Sequence, residues 1–226
     1  MKRLLIIGWV VLLAGCAATR PLPAPQSVLL HTLDLVDPDG EGSIELFKET
    51  TFLSRTATTI AYTSRGSATV SDDLGQWRFT YAKTSLNGTL GAQDPKVVGV
   101  HGLGVALKST TAGTIEVDWT RTTLIDGSRR AHPVIHRSVN LYDPSVTMAP
   151  SIIPPGAVLE DFVFPSDGIT PDITGRADTW AAPAVFERLT PGMNVSVRLS
   201  MKSGGQVFSR TFTFAARQRV RQRPNQ

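Results

Sequence analysis

One stretch near the carboxyl end decides the fold class: Asn194-Val-Ser-Val-Arg-Leu-Ser-Met201, then Lys202-Ser-Gly-Gly205, then Gln206-Val-Phe-Ser-Arg-Thr-Phe-Thr-Phe214. Apolar and polar residues alternate in the first part, and the phenylalanines of the last part share one face with Arg210. A period of two residues is typical of a β-strand with one face in a core and one in water. The glycine pair between the two runs predicts a tight turn, so the stretch predicts a β-hairpin.

The same alternation recurs upstream, in Trp77–Tyr81 and in Ile115–Trp119. We predict a second hairpin, in which Thr114–Leu124 is followed by a turn at Asp126-Gly127 and by a return strand over Arg130–Leu141. A loop with an odd number of residues, with a bulge at Gly127, would keep the apolar residues of both strands on one face. No segment keeps a helical period for long. The sequence therefore predicts an all-β protein with minor helix, an antiparallel β-sandwich that is immunoglobulin-like or related.

The composition is that of a globular protein, because 41% of the 226 residues are hydrophobic and 19% are charged. We assign residues 28–215 to a β-rich domain. The proline-rich segment 142–156 either joins two sheets of one domain or marks a boundary between two smaller ones. Positive charge is concentrated at the chain ends, so the formal charge of +4 does not indicate a basic face that binds nucleic acid. The tail, residues 216–226, carries four arginines: Arg217, Arg219, Arg221 and Arg223.

The amino-terminal segment has the order of a signal peptide. Lys2 and Arg3 precede an apolar run that is too short to span a bilayer and that ends in Leu13-Ala14-Gly15-Cys16. These four residues resemble the lipobox of bacterial lipoproteins, and the resemblance covers residues 1–16 only. It implies that residues 1–15 are a signal peptide, that the chain is cut between Gly15 and Cys16, and that Cys16 carries diacylglycerol and an N-acyl chain such as palmitate.

The resemblance also implies where the protein lies. In such lipoproteins, a residue other than Asp after the cysteine favours the outer membrane, and Ala17 stands there. We therefore expect a lipid anchor in the outer membrane, on its periplasmic face, with the inner membrane as the alternative. Residues 16–27 hold the lipidated cysteine and a tether with Pro21, Pro23 and Pro25, which favour an extended spacer.

The most site-like stretch of the body is acidic. Asp37, Asp39 and Glu41 alternate with proline and glycine, as in the first part of a calcium-binding loop. Lys48 stands where such a loop needs a bidentate glutamate, so the alternative is an acidic turn before a strand. We predict no resident metal and no cofactor other than the covalent lipid on Cys16.

Histidines give no catalytic motif. His132 and His136 would lie on one face of a strand but about 13 Å apart, too far to share one metal ion. His31 and His101 have no neighbouring acidic motif, and the sequence lacks the nucleophile elbow, the P-loop and the zinc-protease helix motif. We therefore predict no catalytic residues and regard the protein as not an enzyme.

Three hypotheses about function follow. The leading one is a membrane-anchored periplasmic lipoprotein that presents a binding or assembly surface, as part of a cell-envelope complex with an unidentified protein partner. The first alternative is an envelope hydrolase in which His101, His132 or His136 meets an acid and a serine that are distant in sequence. The second alternative is a lipoprotein that binds a small ligand or an ion.

Overall fold

The computed structural model describes residues 22–52, 58–87, 89–90, 99–136, 148–167, 170–171, 180–181, 186 and 189–217. These residues form strands, turns and irregular segments, and no helix lies among them. Residues 42–52 belong to a strand. In chain order the strands are β1 (Gln26–Leu35), β2 (Glu41–Phe52), β3 (Thr58–Arg65), β4 (Ala68–Ser71), β5 (Gly75–Asn87), β6 (Thr89–Leu90), β7 (Gly99–Ser109), β8 (Ile115–Ile125), β9 (Ala131–Ile135), β10 (Ser151–Ile153), β11 (Val158–Pro165), β12 (Thr170–Pro171), β13 (Trp180–Ala181), β14 (Asn194–Ser203) and β15 (Gln206–Arg217).

Ten of these strands form a closed antiparallel barrel. The order around the ring is β1-β15-β14-β8-β9-β11-β7-β5-β4-β2, and β1 closes it by pairing with both β15 and β2. The prediction of a β-sandwich was therefore wrong. Alternating strands satisfy a sandwich and a barrel equally well, and what decides between them is whether the first strand leaves a free edge. Strands from both sides of residues 142–156 belong to this one ring.

Side chains fill the inside of the barrel. The inward positions of β5 and β15 place four aromatic rings together, with Trp77 4.8 Å and Phe79 4.7 Å from Phe212, and Phe79 5.2 Å from Phe214, between ring centroids. The predicted carboxyl-terminal hairpin is present, with a two-residue turn at Gly204-Gly205. Arg210 is a charged residue on the face that carries the phenylalanines. Its side chain extends to the β4–β5 turn and forms ion pairs with Asp72 and Asp73.

The second predicted hairpin is formed by β8 and β9, and the structure describes it up to residue 136. Its loop spans residues 126–130, an odd number as expected, and Leu124 pairs with His132. The irregularity lies in β8 rather than at Gly127. Burial changes from odd-numbered residues up to Trp119 to even-numbered residues from Thr122, and the pairing of β8 with β14 shifts at the same place. This shift turns His132 inward beside Leu124. Val139 and Leu141, on the predicted return strand, lie outside the described residues.

The two ends of the barrel differ, and we name them by their connections. The turn end carries five short connections: residues 36–40, 72–74, 110–114, 154–157 and 204–205. Of the described residues, the loop end carries the β8–β9 loop, residues 166–167 after β11, residues 189–193 before β14, the start of β1 and the end of β15. β9 ends and β10 begins within the wall, at neither end of the barrel. β9 and β10 both lie beside β8, so the chain leaves the wall after Ile135 and returns at Ser151.

Candidate functional site

A buried histidine joins two acidic loops at the loop end. His132 lies on β9 and its side chain is 7% exposed. Its Nδ1 is 2.7 Å from Asp167 Oδ1, and its Nε2 is 3.0 Å from Asp126 Oδ2. Arg130 donates a further hydrogen bond of 3.1 Å to Asp167. The β8–β9 loop is thereby tied to the first residues after β11.

The electrostatics of this cluster favour a charged imidazole. Burial alone would lower the pKa of His132, but hydrogen bonds to Asp126 and Asp167 and their negative charges outweigh it and raise that pKa. Burial likewise opposes ionisation of Asp126, yet hydrogen bonds from Ser128, His132 and the backbone N–H groups of Arg130 and Ser128 lower its pKa to about 2. Only the imidazolium can donate from both ring nitrogens, so the geometry fits a histidine cation between two carboxylates.

This arrangement does not suit His132 to catalysis. A general base needs one ring nitrogen directed at the group from which it takes a proton, while the other is held by an acid. In this protein a carboxylate oxygen faces each nitrogen. The cluster therefore acts as a structural tie between two connections that are distant in sequence.

A second histidine lies where β9 ends and the chain leaves the wall. His136 Nδ1 is 3.0 Å from Oδ2 of the buried Asp161 on β11. The His136 ring stacks on Trp119, with centroids 4.7 Å apart and ring planes 14° apart. The Trp119 indole N–H donates to Ser151 Oγ at 2.9 Å. These four side chains connect β8, β9, β10 and β11. They lie at the seam, the part of the wall beside β8 where β9 ends and β10 begins.

His136 differs from His132 in its free nitrogen. Its Nδ1 is held by a carboxylate, and its Nε2 has no hydrogen-bond partner within the described ranges. An acid–histidine pair of this kind occurs in hydrolytic triads, which also need a nucleophile beside the second ring nitrogen. Among the residues that the structure describes, no hydroxyl or thiol completes it with a hydrogen bond to His136.

The other two histidines are not brought into a common site. His31 lies on β1 and is 3% exposed; burial lowers its pKa, and a hydrogen bond to the backbone of Phe186 opposes the shift. Its Nε2 has no partner in the described part of the chain. Phe186 packs edge-on against Tyr81, 5.9 Å between centroids. His101 lies on β7 opposite Lys83, and its side chain is outside the description.

The acidic stretch forms the β1–β2 turn and the start of β2. Asp37 Oδ1 accepts a hydrogen bond from the Asp39 backbone N–H at 2.9 Å, and the Asp37 carbonyl accepts one from Gly40. Glu41 is the first residue of β2 and pairs with Thr69. Within the described ranges, no three side chains of His, Cys, Asp or Glu are grouped so that they could hold a metal ion.

The remaining predicted site residues lie in the last described strand or outside the described residues. Phe212, Phe214 and Ala216 face the core as expected, and Arg217 ends β15 with an exposed side chain. Its guanidinium Nε is 3.5 Å from Asp34 Oδ2. The residues outside the description are Gly15, Cys16, Arg219, Arg221 and Arg223.

A shallow pocket of about 210 Å³ lies on the outer wall, where β5, β7 and β11 adjoin. Gly104 contributes no side chain there, and a Cβ on it would lie 2.3 Å from Thr80 Oγ1. Arg78 and Glu160 pair beside the pocket at 2.7 Å, with both side chains more than half exposed. The pocket is therefore an open depression with an exposed ion pair at its side.

Comparison with protein-family models, curated proteins and solved structures finds no match to this chain. No helix in the described ranges is long and apolar enough to span a membrane.

Proposed function

We propose that this protein is a periplasmic lipoprotein, anchored through acylated Cys16 in the outer membrane, whose β-barrel presents a non-catalytic binding or assembly surface to a cell-envelope partner. The inner membrane is the alternative location. One observation carries the proposal: a basic start and a short apolar run end in Leu13-Ala14-Gly15-Cys16. One acyl chain holds a protein only weakly, whereas two or three give durable anchoring, at about 0.8 kcal/mol for each buried methylene.

The barrel supports the proposal in two ways. Its interior is packed with aromatic and aliphatic side chains, so the wall and the two ends are the surfaces available to a partner. The buried His132 has both ring nitrogens facing carboxylates. This favours a structural role for the cluster.

The experiment is metabolic labelling with a palmitate analogue. Cys16 is the only cysteine, so label on the native chain that is lost in Cys16→Ser must have been on that residue. We expect the native protein to be labelled and to sediment with outer membranes. Cys16→Ser should be unlabelled and uncleaved or released, because a hydroxyl is a poorer nucleophile than a thiolate toward the diacylglyceryl group. Ala17→Ser is the matched control and should retain the label.

A Cys16→Ser chain that keeps its label and its membrane association would contradict the anchor. Label in the inner-membrane fraction alone would support the anchor and overturn the location.

A second function, hydrolysis in the envelope, is favoured by one observation. Asp161 holds His136 Nδ1 and leaves Nε2 unoccupied among the described groups. If this pair activates a nucleophile, a fluorophosphonate reagent should label the native protein and should fail to label His136→Gln. His132→Gln is the matched control, and it should still be labelled. Absence of label on the native protein would remove this second candidate.

A further inference from the structure

We propose that the loop end of the barrel faces the membrane and that Arg129, Arg130 and Arg217 contact the phosphates of anionic lipids there. The inference rests on the lipid anchor proposed above and adds an orientation and a lipid-contacting surface to it. The turn end would then face away from the membrane, toward the partner.

The geometry of attachment permits this orientation. β1 begins and β15 ends at the loop end, where the Thr32 hydroxyl donates to the Arg217 carbonyl at 2.9 Å. The ten residues from Cys16 to Pro25 span at most about 35 Å even when fully extended. The twelve residues of β15 extend about 40 Å along the strand. Barrel strands tilt by about 35–45°, so β15 rises about 30 Å along the barrel axis. The tether thus limits how far the loop end can move from the lipid, and the charge of the two ends decides which of them faces it.

The charge of the two ends favours the loop end as the one that faces the membrane. All charged side chains in the five connections of the turn end are acidic: Asp37, Asp39, Asp72 and Asp73. Arg210 pairs with Asp72 and Asp73, which leaves the described turn-end connections and this arginine with a net negative charge. The described loop end presents exposed Arg129, Arg130 and Arg217 beside Asp126 and Asp167, so its arginines outnumber these acids by one. An anionic membrane surface repels the first set and attracts the second, with about 1 kcal/mol for each arginine close to the surface.

The β8–β9 loop holds its arginines in a fixed position. Asp126 Oδ1 accepts hydrogen bonds from Ser128 N, Ser128 Oγ and Arg130 N, each between 2.7 and 2.9 Å. Gly127 packs against Leu189 and Met193, and a Cβ on it would lie 2.9 Å from Leu189. A loop held in this way loses little conformational entropy when its side chains bind a surface.

Arg129 is the arginine most available to lipid. Arg130 pairs with Asp167 and Arg217 lies near Asp34, whereas Arg129 has no ion pair within the described part of the chain. It is also the only non-glycine residue there with a positive φ, 67°. Asn or Gly would adopt that backbone with less strain, so the arginine at this position carries a conformational cost.

The test uses the full-length lipidated protein in vesicles that contain about one part phosphatidylglycerol to three parts phosphatidylethanolamine. Cys16 is acylated, so a cysteine introduced elsewhere is the only free thiol. A fluorophore is attached at Thr190→Cys on the loop end or at Ala112→Cys on the turn end, both exposed. Quenching by headgroup-labelled lipid should be several-fold stronger at residue 190 than at residue 112. Equal or reversed quenching would overturn the orientation.

Arg129→Asn, made in the Thr190→Cys protein, tests the lipid contact. It should reduce the quenching in anionic vesicles and leave it unchanged in phosphatidylcholine vesicles. The matched control is Arg121→Asn, which removes an exposed arginine that pairs with Asp118 on the wall and should change neither. Equal effects of the two substitutions would overturn the contact. A protein that does not associate with vesicles at all would contradict the lipid anchor itself, so the two failures are distinguishable.

Discussion

The two ends of the barrel are held together by different kinds of interaction. The connections of the turn end have two to five residues and satisfy their own polar groups. Asp72, for example, accepts hydrogen bonds from the backbone N–H groups of Leu74 and Gly75. The loop end depends on groups that are distant in sequence, such as His132 and Asp167, which are 35 residues apart. The first end therefore rests mainly on hydrogen bonds within its turns, with Arg210 as a link to a distant strand. The second end adds a histidine that joins two connections far apart in sequence.

This difference has consequences for how each end responds to change. A tight turn depends on backbone conformation, so it is sensitive to a single added methyl group and insensitive to pH. A cluster of a histidine cation between carboxylates depends on protonation, so it is sensitive to pH. The following substitutions test this contrast, beginning with the largest expected effect.

Gly75→Ala should be the most damaging substitution of the three. Gly75 has a φ of 148°, and a Cβ on it would lie 2.0 Å from the Lys108 carbonyl oxygen. Because that contact is with the backbone of β7, the start of β5 would have to move, and we expect a loss of about 2 to 4 kcal/mol in the free energy of unfolding. Urea denaturation measures it.

Gly156→Ala is the matched control at the same end. Gly156 also has a positive φ, 73°, but nothing lies within 4 Å of its Cβ position. It should lose only about 1 kcal/mol, the cost of the backbone conformation. Equal losses in the two variants would show that close packing does not determine the turn end.

His132→Gln should remove a pH-dependent part of the stability. The pKa of His132 is raised above its ordinary value of 6.5, so its contribution is complete below pH 6.5 and is lost as pH rises through the raised pKa. Asp126 contributes in the opposite sense, fully above its ordinary pKa of 3.8 and less as pH falls through about 2. We expect a loss of about 1 to 3 kcal/mol near pH 6 and a flatter alkaline limb.

The measurement is the free energy of unfolding from about pH 5 to about pH 9. His136→Gln is the matched control, because it removes a histidine from the seam and leaves the cluster at the loop end intact. It should keep the native decline of stability above pH 6.5. A His132→Gln profile parallel to the native one would contradict the charged tie.

Arg129→Asn should have the smallest effect and the opposite sign. Asn adopts the left-handed backbone conformation more readily than Arg, so stability should rise by a few tenths to about 1 kcal/mol. Arg130→Asn is the neighbouring control; it loses the bond to Asp167 and should be neutral or destabilised by up to about 1 kcal/mol. A loss of stability in Arg129→Asn would show that the loop is not strained at that residue.

Part of the candidate site could be predicted from the sequence. His132 and His136 stand out as the histidines of a strand, and Asp126 appears in the turn that precedes them. Their partners Asp161 and Asp167 gave no signal, because no sequence spacing relates β9 to the end of β11. Even the inward direction of His132 could not be predicted, since it depends on the irregularity in β8 after Trp119.

Local sequence patterns specify strands and tight turns of this protein, as in the hairpin over residues 194–214. Alternating side chains and glycine pairs act between near neighbours, so a local pattern is sufficient to specify them. Tertiary structure alone decided that the sheet closes and that two aspartates surround His132. Closure requires β1 to pair with β15, and Thr32 and Arg217 are 185 residues apart. Contacts at that separation depend on how all ten strands pack together, and no single segment carries that information.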